Sequence, residues 1–296
     1  MTHPRRVLPD TVVEVTQRTL ARTFRFLPRA EISNLFLYVL GVASERYNVR
    51  LHGFSLMATH YHLLVHDVDG RLPIFVQYVN SLVARAINAM QGESDKVWSG
   101  SGYVAVCPQS ADDVMARMVY GLANPSAAGL VNRVEDFPGL VITPNRIGVV
   151  NKVQRPEFFS RKGTQMPECV DVRFDVPDGW DHIGLEQYRE ELASRLRERE
   201  ARHRAQRKAD GVAVVGAKRL GQVAAGRRSS SWEAWFTLKP VIAAKLKSQR
   251  VAAIRVLRAF RDAYRAAWEA WRAGDRDRAF PSGTWWMARY AGVTIG

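Results

Sequence analysis

Residues 54–65 read Phe54-Ser55-Leu56-Met57-Ala58-Thr59-His60-Tyr61-His62-Leu63-Leu64-Val65, an apolar run carrying two histidines that flank a tyrosine. A run of this kind predicts buried β-structure. Side chains on a strand alternate faces, so His60 and His62 share one face and Tyr61 takes the other. Two imidazoles side by side on a rigid strand are half of a metal site. The question is what supplies the other half.

Upstream, residues 10–20 are rich in β-branched residues and read as a strand. Residues 29–47 carry Ile32, Leu35, Phe36, Val39, Leu40 and Ala43 at helical spacing. Strands at 49–57 and 60–67 follow, as one bent strand or a tight pair, and Asp67-Val68-Asp69-Gly70 is a turn signal. Residues 72–90 repeat the helical pattern, 91–102 are loop-like, and Tyr103–Cys107 is a short strand. Ser110, with Asp113 three residues on, marks the start of another helix. The order β-α-β-β-α-β-α predicts an α+β fold: a ferredoxin- or RRM-like antiparallel sheet with helices on one face.

After about residue 150 the composition changes, so the expected organisation is a catalytic domain over 1–150 and a basic, mainly helical extension over 151–296. Residues 151–185 hold Pro156, Pro167 and Pro177 and read as irregular. Residues 186–209 read as an almost wholly charged, solvated helix, 211–231 as a loose basic stretch, and 239–273 as a long amphipathic helix. Trp268, Trp271, Trp285 and Trp286 read as a small core.

The net charge of +14 is uneven: residues 1–150 hold 14 Lys and Arg against 12 Asp and Glu, and 151–296 hold 29 against 17. Such a surplus points to a polyanionic partner, nucleic acid before membrane. No apolar run is long enough to span a bilayer, and no signal peptide is read at the N-terminus. Two cysteines far apart exclude a disulfide framework and a zinc ribbon, and a cytoplasmic setting is expected.

The helix after Ser110 turns Val114, Met115, Met118, Val119 and Leu122 toward the sheet. Beside that stripe runs a second one, Asp113, Arg117, Tyr120 and Asn124. Residues four apart stack one turn apart, so Tyr120 and Asn124 present a phenol and an amide from the same edge. Two neutral imidazoles and an amide oxygen can hold Mn²⁺, Co²⁺ or Zn²⁺, and Mg²⁺ when several waters complete its shell. A tyrosine one turn from such a metal can attack phosphorus, with Arg117 near enough to assist.

Met57-Ala58-Thr59-His60-Tyr61-His62-Leu63-Leu64-Val65 resembles the His-hydrophobe-His motif of the IS200-like single-tyrosine (HUH) transposases, and Val119-Tyr120-Gly121-Leu122-Ala123-Asn124-Pro125 resembles their nucleophile segment. The second is especially similar to the REP-associated tyrosine transposases, and the resemblance covers about residues 8–150. It implies that Tyr120 is a nucleophile forming a 5′-phosphotyrosine on single-stranded DNA. It also implies that His60, His62 and Asn124 hold a divalent metal, Mg²⁺ or Mn²⁺, that hairpin-forming DNA is the substrate, and that the protein is a monomer or homodimer. Thr59 departs from the asparagine of many members. Two other readings share the motif: a domesticated hairpin-binding protein that does not cleave, and a relaxase-like nickase.

Arg18, Arg22, Arg25 and Arg117 are candidate DNA-binding residues. Trp98 and Tyr103 read either as base-stacking aromatics or as core, His52 reads as structural, and His66 as exposed.

Overall fold

The computed structural model describes residues 4–159, 165–229 and 240–296. Parts of three stretches read above lie outside the described residues: Met1–His3, positions 160–164 of the proline-bearing segment, and positions 230–239.

The chain begins with β1 (Thr11–Arg18), α1 (Ala30–Tyr47), β2 (Val49–Met57), β3 (His60–Asp67), α2 (Leu72–Gln91) and β4 (Val104–Pro108). These strands order as β2-β3-β1-β4, with every pairing antiparallel. That order is the ferredoxin-like βαββαβ topology, so the expected fold class stands. β2 and β3 form a tight pair joined at Ala58 and Thr59. A further short strand from the second half of the chain, β7 (Ile242–Ala243), joins the β4 edge in parallel.

Strand alternation sorts the sheet into two faces. On one, α1 and α2 pack over Tyr61, Leu63 and Val65, and Phe26, Phe36, Phe54, Tyr61 and Trp98 form a chain of ring contacts. Tyr61 donates to Asn80 Oδ1 at 3.0 Å and Trp98 donates to the Asn80 carbonyl at 2.8 Å. Trp98 is thus a core residue, and Tyr103 packs under the Arg5 guanidinium, 3.8 Å from its ring centroid.

The other face is also covered. It carries α3 (Ala111–Leu122), then α4 (Asn124–Ala127), and behind them α5 (Leu185–Ala209). Ser110 caps α3 as expected, its Oγ accepting from the Asp113 amide at 3.2 Å.

Two regions differ from their sequence reading. The proline-bearing segment is not irregular throughout: β5 (Val150–Gln154) and β6 (Cys169–Arg173) form an antiparallel pair. Their alternating valines Val153, Val170 and Val172 pack into the main core. The approach to α1 is so close that a Cβ on Gly41 would lie 2.7 Å from Val172. These strands are five residues long and isolated among prolines, so their periodicity is short. The helix α5 is not merely solvated either. Tyr188, Leu192 and Leu196, four residues apart, are buried against α3, and the Tyr188 hydroxyl donates to Met118 sulfur at 3.0 Å. One apolar residue per turn is enough for a seam but is swamped by charge in a composition count.

Further on lie α6 (Ala217–Gly221), α7 (Lys247–Arg272) and α8 (Trp286–Ala291). Phe260, Tyr264, Ala267, Trp268, Trp271, Phe280 and Met287 belong to a second, smaller core, while Trp286 is exposed. Among the described residues no helix is long and apolar enough to cross a membrane.

His52 sits at the β-bulge between Leu51 and Gly53 and is fully buried. Its Nδ1 donates to the Asp175 carbonyl at 2.9 Å, and its Nε2 has no partner. Burial pushes its pKa down from 6.5 to about 4. Between those values the unfolded imidazole takes a proton that the folded one refuses, so stability falls as pH drops through that window and levels off below it. His52→Gln keeps a donor for Asp175 and cannot titrate. Urea unfolding across this range should show its pH slope reduced by up to about 1.4 kcal/mol per pH unit.

Candidate metal and nucleophile site

The face of β3 that carries His60 and His62 looks onto α3. Register places Thr16 opposite His62 and Arg18 opposite His60 on β1, and Ser55 and Met57 opposite them on β2. The two imidazole centroids are 5.2 Å apart at an interplanar angle of 77°.

The helix comes down very close here. A Cβ on Gly121 would lie 3.2 Å from His62 Cβ, so glycine sets the depth of α3. Four residues later Pro125 has no N–H to give the Gly121 carbonyl, and Ser55 Oγ donates to that oxygen instead, at 2.7 Å. The proline thus breaks the helix ladder where a strand side chain can bridge it. The turn it introduces sets Asn124 over the histidines: Asn124 Nδ2 donates to His62 Nε2 at 2.9 Å and the same side chain hydrogen-bonds His60. Tyr120, one turn back, stands edge-on to His62 with centroids 5.6 Å apart and is 38 % exposed.

Each imidazole is held from behind. Thr59 Oγ1 lies 2.9 Å from His60 Nδ1, which gives this departure from asparagine a definite contact. His62 Nδ1 lies 2.9 Å from the carboxylate of Glu14, a residue only 1 % exposed. A carboxylate paired with a guanidinium can only accept, so Nδ1 carries the proton and Nε2 keeps its lone pair on the open side. Arg117 reaches across from α3 to pair with the other Glu14 oxygen. Burial pushes the His60 pKa down to about 3, and the neighbouring His62, Arg18 and Arg22 push it the same way. His60 is therefore neutral at any physiological pH, the form a metal ligand needs.

Residues predicted from the sequence divide cleanly. His60, His62, Tyr120, Asn124 and Arg117 come together, and the charges of Arg18 and Arg22 act on His60. Arg25 does not join them. It is 7 % exposed, and its guanidinium is committed to Gln91 and Glu93, holding the end of α2. Asp113 leaves its stripe too, bonding Ser110 and the Lys245 amide to anchor the segment after β7. Glu14 was not singled out in the sequence, although its position in a β-branched strand, between Val13 and Val15, is the signal for a buried carboxylate with a partner.

Farther along the same face, His66 is 2 % exposed rather than open to solvent. It lies between Asp10 and Asp178, and ligand atoms of these three residues fall within 4.8 Å of one another. Arg50 donates to both Asp178 oxygens and sits 2.5 Å from His66 Nδ1. A guanidinium inside the cluster already supplies the positive charge a cation would bring, so this is an ion-pair network. The His60–His62–Asn124 group instead brings two imidazoles and an amide side by side, a donor set that fits a divalent metal.

The tautomer is directly measurable. Long-range ¹H–¹⁵N spectra of the wild-type protein should show His62 protonated at Nδ1. Glu14→Gln should mix the two tautomers, and Glu14→Leu should cost about 3 kcal/mol by stranding Arg117.

No family model matches this chain, and no curated protein does. Solved structures resemble parts of it, among them the following two. One is a REP-associated tyrosine transposase bound to a REP hairpin, with TM-score 0.42 and 11% identity over 49% of this chain and 84% of that one. The other is a candidate transposase from Deinococcus radiodurans R1, with TM-score 0.28 and 16% identity over 36% of this chain and 85% of that one.

Proposed function

We propose that this protein is a metal-dependent DNA strand transferase of the transposase kind, with Tyr120 as its nucleophile and hairpin-forming single-stranded DNA as its substrate. One observation carries the reading: a solvent-facing tyrosine and an amide from one helix edge meet a histidine pair from a strand some 60 residues earlier.

His60 Nε2, His62 Nε2 and the Asn124 amide would hold Mg²⁺ or Mn²⁺, the amide turning its oxygen inward. When bound, the metal polarises the scissile phosphate and draws charge from the departing oxygen. Every other task falls to the protein. Tyr120 Oη attacks phosphorus, forming a 5′-phosphotyrosine as the 3′-oxygen leaves. The phenol proton passes to solvent at the open edge, and the 3′-oxygen takes one up. Bond energy is conserved in the covalent link, so a later 3′-OH can reverse the step and rejoin DNA. Arg18 and Arg22, whose charges act on His60, would receive flanking phosphates.

The test is a denaturing-gel shift with labelled single-stranded hairpins and Mn²⁺. Tyr120→Phe should abolish the covalent adduct and spare binding, and an adduct that survives the substitution would sink the reading. His60→Ala and His62→Ala should bring metal-dependent cleavage below detection. Glu14→Gln should weaken Mn²⁺ binding, read by electron paramagnetic resonance, about 10- to 100-fold.

A further inference from the structure

The nucleophile has a second neighbour from outside the first 150 residues. Arg199, on α5, places its Cζ 5.2 Å from the Tyr120 ring centroid, while Arg117 lies 4.4 Å from the same centroid. The phenol thus stands beside two guanidiniums, one from its own helix and one from α5.

The two cations are not alike. Arg117 is paired with buried Glu14. Along α5, Arg195 is paired with Glu191 and Asp112, Arg202 with Glu198, and Arg207 with the Ser126 carbonyl and Asn132. Arg199 has no carboxylate partner among the described residues, and its Nε is buried without any hydrogen bond. Its charged neighbours Arg117 and Arg202 are like-charged. One turn on, His203 shares the feature: its Nδ1 is also buried and unpartnered. A half-buried guanidinium with spare donors and cationic neighbours is a poor device for stability and a ready receptor for an oxyanion. Its position beside an exposed phenol says which one.

We propose that Arg199, with His203 beside it, is a phosphate-binding site that seats a DNA phosphodiester against Tyr120, so that α5 supplies part of the site. The ligand chemistry is a phosphate oxygen, taken from single-stranded DNA or from free orthophosphate. The proposal rests on Tyr120 being the nucleophile only for the identity of the phosphate, since anion binding by Arg199 can be measured without cleavage.

Two measurements test it in the Tyr120→Phe protein, where no adduct forms. In ¹⁵N spectra of arginine side chains, titration with inorganic phosphate should move the Arg199 Nε–H signal saturably and leave that of Arg117, tied to Glu14, in place. In fluorescence anisotropy with a labelled 20-nucleotide single strand, Arg199→Gln should weaken binding roughly fivefold. It should also flatten the log K against log salt slope by about 0.7, the loss of one phosphate contact, and Arg199→Lys should restore the slope. If Arg199 only braces the Tyr120 ring, the salt slope and the Nε–H signal will both stay unchanged, and the proposal is overturned. The spectroscopic arm uses native Arg199, so it decides even if Arg199→Gln fails to fold. If Arg199 binds phosphate but the wild-type protein, with Tyr120 intact, yields no adduct in the denaturing-gel assay, the anion site stands and the strand-transfer reading falls.

Discussion

The arrangement turns on one buried carboxylate. Glu14 projects from the central strand β1 into a space closed by β3 and α3, and both of its oxygens are engaged there, as a buried carboxylate requires. One orients His62, and the other holds Arg117 and through it the helix that carries Tyr120. An interior charge of this kind is poor evidence of stability but a strict demand on geometry, since strand and helix must both be in place for either oxygen to be satisfied. Relative placement of His62 and Tyr120 is thereby set by a single side chain that stands behind both.

Two absences on the helix work with it. The missing side chain of Gly121 lets α3 settle against His62, and the missing N–H of Pro125 frees a carbonyl for Ser55. Each is a local defect by the standards of helix stability, and each brings the helix edge nearer to the strand. The closest approach of helix to strand falls at His62, while the opposite face of the sheet is an ordinary aromatic and aliphatic core.

The second half of the chain does more than follow the first. β5 and β6 complete the outer side of α1, β7 extends the sheet at β4, and α5 backs α3 and delivers Arg199 to Tyr120. The uneven charge of the sequence acquires a local meaning there. Most basic residues of α5 near the site are already spoken for by acids or carbonyls, so net charge alone says little about where a polyanion would bind, and the unpaired guanidinium says more.

The strands and helices of the first 122 residues were legible because each buries a long, regular stripe, and the parity of His60 and His62 followed from strand geometry alone. The helix α3, its Ser110 cap and the pairing of Tyr120 with Asn124 were legible for the same reason. Other features had no local signature. Glu14 looks like any polar residue in a strand until the register sets it opposite Leu64 and beside His62. Arg25 looks like a surface cation until the fold brings Gln91 and Glu93 to it, and His66 looks exposed until Asp10, Arg50 and Asp178 close around it. The sequence by itself determined the periodic elements and the facing of its histidines, because these depend on backbone geometry over a few residues. Tertiary structure alone decided which charges are paired and which are left open, because a charge takes its partner from whatever the fold brings near, at any distance along the chain.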